Sequence, residues 1–341
     1  MSRAIQKAWA GRTGLACLLW PLSLAYGAVT GVHRQLYKAG IVKSARMPVP
    51  VIVVGNVVVG GGGKTPLVIA LVQRLQNAGL KAGVVSRGYG RQATGAQEVT
   101  LTTPVFESGD EPMLIRRRTG APVFVGVKRV AVARALLQAY PETQVIVCDD
   151  GLQHHALGRD VEIIVFDDRG TGNGWLLPAG PLREPWPTPG HVTPRLVLHT
   201  GNKPAFEGFT SARRLADNAV ALDGTLVPMN TFGRKPVVAL AAIANPQAFF
   251  DMLGLGGILL SQTIVLPDHH NISEADLQGV ADATILCTEK DAVKLVASPQ
   301  TANVLAVPLE FEPEAAFFRA LDTLLIPLLS QLPLSHGTQT A

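Results

Sequence analysis

Charge is scarce in this 341-residue chain: Asp, Glu, Lys and Arg make up 16% of it, against roughly a quarter of an average soluble domain. With hydrophobic residues at 47%, disorder is excluded as the general state. Neither sign dominates. Thirty Lys and Arg against 26 Asp and Glu leave a net charge of +4, too small to mark a nucleic-acid binder. Cysteine is nearly absent. Cys17, Cys148 and Cys287 are odd in number and not spaced for a metal clasp or a disulfide framework, which points to a reducing, cytosolic setting without zinc. Cys148 and Cys287 each end an apolar run, where a free thiol behaves as a small buried hydrophobe. No internal repeat is evident.

What is present begins with an apolar stretch. Gly14 to Val32 runs for 19 residues without a formal charge, close to the length that spans a bilayer core as a helix. Basic residues flank both sides: Arg3, Lys7 and Arg12 before it, Arg34, Lys38, Lys43 and Arg46 after it. A cleaved signal peptide, an uncleaved membrane-contacting helix and a buried globular helix all fit these residues. Pro21 and the small residues weaken a simple spanning helix, and the signal peptide fails if the remainder needs cytosolic nucleotide.

The next segment carries that implication. Val49 to Val54 reads as a buried parallel strand, Gly60-Gly61-Gly62-Gly63-Lys64-Thr65 follows, and an amphipathic helix then runs to Gly79. Strand, glycine loop, Lys-Thr and helix form the context of a phosphate-binding loop. Glycines let backbone N–H groups approach phosphate oxygens, and the helix N-terminus adds its positive dipole end. Lys64 can reach the β- and γ-phosphates, and the Thr65 hydroxyl can ligate magnesium. The motif is a variant, because Val58 stands where the strict pattern has glycine.

A second strand, Gln144 to Asp150, ends in the acid pair Asp149-Asp150, as the carboxyl end of a strand in a nucleotide site would; the milder reading is a turn at Asp150-Gly151. Between these elements lie SRGYGR (Ser86 to Arg91) and Gly109-Asp110-Glu111-Pro112, each a surface turn or a polar contribution to the site. Arg116-Arg117-Arg118 reads as a solvated helix end or a contact to an anionic substrate. Asp268-His269-His270 lacks zinc spacing, but a His beside a carboxylate can act in proton transfer.

Taken in order, GNVVVGGGGKTP (Gly55 to Pro66), SRGYGR, GDEP (Gly109 to Pro112), DDGLQH (Asp149 to His154), LPAGPLRE (Leu177 to Glu184), DHH (Asp268 to His270) and TEKDAVKL (Thr288 to Leu295) resemble the tetraacyldisaccharide 4′-kinase family of lipid A biosynthesis. The resemblance covers nearly the whole chain, and the Val58 irregularity belongs to the family's shifted glycine pattern. It implies transfer of the ATP γ-phosphate to the 4′-hydroxyl of a tetraacylated disaccharide 1-phosphate, at the cytoplasmic face of the inner membrane. Asp110 would be the catalytic carboxylate with His269 as its partner, and Gly60 to Thr65 would hold ATP. Thr65, Asp149, Asp150, Glu111 and Glu184 would be candidate ligands or supports for Mg2+. Arg129 and Arg183 would stabilise charge on the phosphates. Leu152 and Asn271-Ile272 depart from aromatics common in the family, which bears on acyl-chain contact. Partners implied are the acylated disaccharide lipid and inner-membrane lipids, with no nucleic acid and no evident protein partner. A nucleotide switch sharing the same loop is the competing reading.

The expected architecture is α/β, a P-loop NTPase-like and mostly parallel sheet with a second, smaller α/β lobe and an N-terminal membrane helix. Residues 1–48 would form the hydrophobic helix and basic linker, 49–231 the ATP-binding domain, 232–332 the smaller lobe supplying His269, and 333–341 a frayed tail. Gly170 to Pro194 reads as a long functional loop, and Glu314 to Leu332 as an amphipathic helix.

Overall fold

The computed structural model describes residues 3–89, 91, 95–188, 191–232, 236–280, 282–295, 301 and 303–332. Gly90 of SRGYGR and the expected tail 333–341 lie outside the described residues. Helices α1 (Arg3–Ala10) and α2 (Gly14–Lys38) precede β1 (Val51–Gly55), α3 (Lys64–Asn77), β2 (Ala82–Ser86), β3 (Gln97–Glu98), α4 (Val105–Ser108) and α5 (Asp110–Thr119). Next come β4 (Val123–Val125), α6 (Arg129–Ala139), β5 (Val145–Asp149), β6 (Val161–Phe166), β7 (Arg195–His199) and β8 (Phe209–Leu215). After them run β9 (Asn218–Ala221), β10 (Leu226–Pro228), β11 (Val237–Ala241), α7 (Pro246–Leu255) and β12 (Leu260–Val265). The chain finishes with β13 (Ile285–Thr288), α8 (Glu289–Ala292), β14 (Val304–Val307), β15 (Leu309–Pro313) and α9 (Ala315–Leu329).

Among the described residues these strands form two sheets. The larger has nine strands in the order β15-β8-β7-β6-β1-β5-β2-β4-β3, parallel except where β15 and β3 pair antiparallel at its edges. The smaller has six, β10-β9-β14-β13-β11-β12, with β11 to β14 parallel. Strand alternation sorts the large sheet's side chains onto two faces. Ile52, Val54, Val145 and Val147 meet Leu67 and Leu71 of α3, Met113 of α5, and Phe317 and Leu321 of α9. Val51, Val53, Ile146 and Cys148 meet Leu136 of α6 together with Leu152, Leu182 and Trp186. The outcome is a mostly parallel α/β architecture with helices on both faces, as the alternating pattern predicts.

The sheets do not divide where the expected cut at 231/232 falls. β9 and β10 already belong to the smaller sheet, whereas β15 and α9 return to the larger one. The physical reason is pairing: β15 finds its partner in β8, from Leu309 beside Leu215 to Pro313 beside Ser211, and brings α9 beside α3, where Asp322 pairs with Arg74 at 2.8 Å.

Helix α2 is longer than its uncharged stretch, and it is long and apolar enough to cross a membrane by length and composition. Leu18, Val29 and Val32 are 76%, 70% and 61% exposed. Its other face is stitched to the segment before Glu184. The Ser23 hydroxyl donates to Leu176 O at 2.8 Å and accepts from Ala179 N at 2.9 Å, and the Tyr26 hydroxyl donates to Arg183 O at 2.9 Å. Gly27 permits this approach, since a Cβ there would lie 2.7 Å from Leu176 Cδ1.

Candidate active site

The site gathers where β1 and β5 end, the edge at which open α/β sheets place ligands. β1 delivers the chain to the glycine loop. Val58, the residue that breaks the strict glycine pattern, is buried and bridges antiparallel to Leu182. Val59 N donates to Pro181 O at 2.9 Å and Arg183 N donates to Val57 O at 2.7 Å. The loop's first half is therefore clamped to the 177–184 segment, which α2 holds from its other side. A glycine at position 58 would lose the packing side chain of this clamp. Gly63 has φ 81 and abuts the Arg213 guanidinium, with Thr200 Cβ 3.3 Å from where its own Cβ would stand. Only glycine fits there without strain.

Lys64 opens α3, and its ammonium donates to Asn56 Oδ1 at 3.2 Å and lies 3.5 Å from Asp150 Oδ1. Asp150 sits at φ 48, a left-handed backbone that a non-glycine residue adopts at some energetic cost. Arg183 Nη1 reaches the same Asp150 oxygen at 3.2 Å. Burial would raise the Asp150 carboxyl, but Lys64 and Arg183 outweigh it and hold it below the usual range. Its neighbour behaves oppositely. Burial, then the charges of Glu111 and Asp150, push Asp149 up to about 7, against Lys64 and the Ser86 hydroxyl bond of 3.0 Å.

Around the other rim, α5 begins with Asp110, only 5% exposed. His269 comes from the loop after β12, at φ 63, and its Nδ1 lies 2.9 and 3.1 Å from the two Asp110 oxygens. Burial would raise the Asp110 carboxyl, yet the His269 bond and the charges of Lys290, His269 and Lys294 hold it low. The Asp110 bond raises His269, against burial and Lys290. The Tyr89 ring from the SRGYGR segment stands 5.1 Å from the His269 ring.

The remaining predicted residues divide. Glu111 pairs with Lys290 at 3.1 Å. Glu184 accepts from Gln153 at 2.8 Å and lies 3.8 Å from Arg34 of α2, so its direct partners are not the Asp149-Asp150 pair. Arg129 is buried and donates to Gly126 O at 2.8 Å and, at 3.5 Å, to the carbonyl of Asp150, an anchor for that strained turn. Two arginines of the run are engaged, since Arg116 holds the carbonyls of Gly120 and Ala121 and Arg118 pairs with Glu289 at 2.7 and 2.8 Å, while Arg117 is exposed as a solvated helix end would be. His154 and His155, given no catalytic role from the sequence, are pushed down to about 4, chiefly by burial. Asn56, Gln153, Lys290 and Lys294 are site neighbours that the sequence reading left without a role. Their signal was their membership of the quoted motifs.

One oxygen stands apart. Among the described residues Asp149 Oδ1 is buried with no hydrogen-bond partner, while every other acid of the set is engaged by a cation or amide. The oxygen suits a small hard cation that takes one or two protein oxygens and completes its shell with phosphate and water, and the Thr65 hydroxyl near the start of α3 is a second candidate oxygen. Among the described residues no three His, Cys, Asp or Glu form a cage of their own.

A mostly parallel sheet presenting a glycine loop, a lysine and buried carboxylates at its strand ends defines an α/β nucleotide-dependent phosphotransferase. More narrowly, the tetraacyldisaccharide-1-P 4′-kinase (LpxK) family matches residues 15–326, and the chain belongs to that family. It is 60% identical to the tetraacyldisaccharide 4′-kinase of Polaromonas naphthalenivorans across the whole of both chains. With that of Acidovorax ebreus it shares 49% identity over 97% of this chain and 96% of the other. Among solved structures it is similar to LpxK from Aquifex aeolicus in complex with ATP, with TM-score 0.79 and 27% identity. That match covers 92% of this chain and 99% of the other.

Proposed function

We propose that the protein transfers the γ-phosphate of ATP to the 4′-hydroxyl of a tetraacyldisaccharide 1-phosphate, a step of lipid A biosynthesis. The observation that carries this reading is the meeting of Asp110, from α5, with His269, from the loop after β12, at a site where Lys64 lies beside Asp150 and Asp149 feels the charges of both Glu111 and Lys64. Gly60 to Gly63 offer backbone N–H groups to the phosphates and Lys64 a charge, in the manner of a P-loop. On nucleotide arrival the Lys64–Asp150 contact is replaced by Lys64 to phosphate, and Arg183 stays to balance the Asp150 carboxylate. Asp110, ionised and fixed by His269, accepts the proton of the sugar hydroxyl as that oxygen attacks. His269 keeps the carboxylate aimed and its charge balanced. Thr65 and Asp149 would hold Mg2+, with Asp150 and Glu111 next in line. When bound, the ion neutralises charge on the transferring phosphoryl group.

The acceptor is a lipid, and α2 supplies the approach. Its apolar face is open, while Ser23 and Tyr26 tie its other face to an irregular loop. Irregular backbone is not tolerated in bilayer hydrocarbon. This favours a helix lying in the membrane surface, at the cytoplasmic face of the inner membrane where ATP is present. The test is direct. Incubated with γ-labelled ATP and the disaccharide lipid in detergent micelles, the protein labels the lipid, and Asp110→Ala loses transfer by 10²-fold or more while still binding ATP. Label that never enters the lipid, or full transfer by Asp110→Ala, refutes the assignment.

A further inference from the structure

The TEKDAVKL segment supplies the reacting end of the site with something the dyad alone does not contain. The Lys294 side chain is 3% exposed, with its ammonium 3.7 Å from Asp110 Oδ2 and 2.9 Å from Asp291 Oδ1. Asp291 is wholly buried. Its second oxygen accepts from Ala242 N at 3.1 Å and from the Thr288 hydroxyl at 2.7 Å. Ala242 in turn uses its carbonyl to accept the His269 N–H at 3.3 Å. One chain of contacts thus joins the end of β11, the His269 turn, Asp291, Lys294 and Asp110.

The carboxylate of Asp110 is held on every side. Oδ1 accepts the Glu111 N–H at 2.9 Å. Oδ2 faces His269 Nδ1 at 2.9 Å, Lys294 at 3.7 Å and Lys290 at 3.8 Å. The two lysines differ in kind. The Lys290 side chain is 17% exposed and shared among Glu111, Asp268 and Asp110, so a phosphate arriving nearby can draw it away. Lys294 has no such freedom, because its partners are two buried carboxylates and almost none of it meets solvent. A group so enclosed does not touch substrate; it acts through Asp110.

We infer that Lys294, anchored by Asp291, is a positioning residue that fixes the Asp110 carboxylate for attack, so that the smaller lobe contributes both His269 and a buried cation to the same atom. The inference rests on the proposed kinase reading. A carboxylate displaced by about 1 Å from its productive place costs up to 10²-fold in rate. Neutralising Lys294 therefore lowers kcat and leaves nucleotide binding alone.

The experiment compares kcat and KM for ATP and lipid acceptor in full-length wild type, Lys294→Met, Lys294→Gln and Lys294→Arg, each also combined with Asp110→Asn. Expected are a tenfold to hundredfold loss of kcat in the Met and Gln variants, with KM for ATP within twofold. Lys294→Arg, which keeps the charge, recovers kcat to within about fivefold of wild type. In the Asp110→Asn background the Lys294 variants add no further loss. If Lys294→Met fails to fold, Lys294→Gln decides, because its amide still donates to Asp291. Wild-type kcat in a folded neutral variant overturns the inference. So does an equal further loss in the Asp110→Asn background, which marks a merely structural lysine. Absence of transfer by the wild type would instead refute the kinase reading, and the two failures are separable.

Discussion

Glu162 offers the sharpest quantitative test of how the site's supporting loop is held. Its carboxylate, on β6, accepts from Arg159 at 3.2 Å and from Arg195 at 3.0 and 2.6 Å, and His191 Nε2 lies 3.1 Å away. Arg195 also bonds the Thr188 hydroxyl and stacks over the Trp186 ring at 5.4 Å, so this one acid seats the chain that follows Arg183 and Glu184. Burial would raise the Glu162 carboxyl, but His191, Arg195 and Arg159 prevail and bring it down from 4.5 to about 2. Because the folded value is depressed, the stabilisation is fully present above pH 4.5 and drains away as pH falls through about 2. A gap of about 2.5 pH units at about 1.4 kcal/mol each gives on the order of 3 kcal/mol at pH 7, of which roughly 2 is gone by pH 3. Other carboxylates titrate over the same range, so the measurement is a difference. Urea unfolding followed by tryptophan fluorescence gives wild type an advantage of about 3 kcal/mol over Glu162→Gln at pH 7, shrinking by roughly 2 at pH 3. A glutamine variant as stable as wild type at pH 7, or a gap that does not narrow, refutes the argument.

Two further perturbations address binding. Gly63→Val forces a β-branched side chain to φ 81 and against the Arg213 guanidinium; titration calorimetry should find ATP affinity at least tenfold weaker while circular dichroism is unchanged, and unaltered affinity would remove the glycine loop from nucleotide binding. Leu18→Asp combined with Val29→Asp alters only exposed positions of α2, so co-sedimentation with anionic vesicles should drop at least tenfold while transfer to a detergent-dispersed acceptor persists; undiminished sedimentation would take the membrane contact away from this face.

Much of the fold was legible because its signals are local. β1, β2, β4 and β5 are apolar runs, and α3, α6 and α9 carry periodic apolar faces, so each announces itself within its own residues. The expected strand at Val49–Val54 begins two residues later as β1, and the strand expected over Gln144 to Asp150 runs from Val145 to Asp149. Sheet membership was less legible. β8 reads FTSARRL, with a largely exposed pattern, and it becomes a strand through its neighbours β7 and β15. Nothing within Leu309 to Pro313 says that it pairs across to β8 instead of continuing beside β14. A cut placed on the chain at 231/232 therefore missed an exchange that depends on distant pairing.

The site divides along the same line, and Val58 states the physics most clearly. From the sequence it is a defect in a glycine pattern; in the fold it is a buried bridge to Leu182, through which the loop and the Arg183 segment share one position. The glycines, Lys64 and the Asp149-Asp150 pair stand out as candidates because backbone approach and strand-end acidity are properties of a short segment. Lys290, Lys294 and Asp291 could not, because the alternation of acid and base in TEKDAVKL is equally that of a solvated helix. What removes them from water is the meeting of α8 with α5, where Arg118 faces Glu289, Glu111 faces Lys290 and Asp110 faces Lys294. Three opposite-sign pairs in register along one contact specify how the two lobes meet, and a slip along it would leave buried charges unpaired. The same contact that aligns the lobes also aims the carboxylate. Local motifs can name the candidate groups, whereas their alignment is written in charges that acquire meaning only when the second lobe arrives.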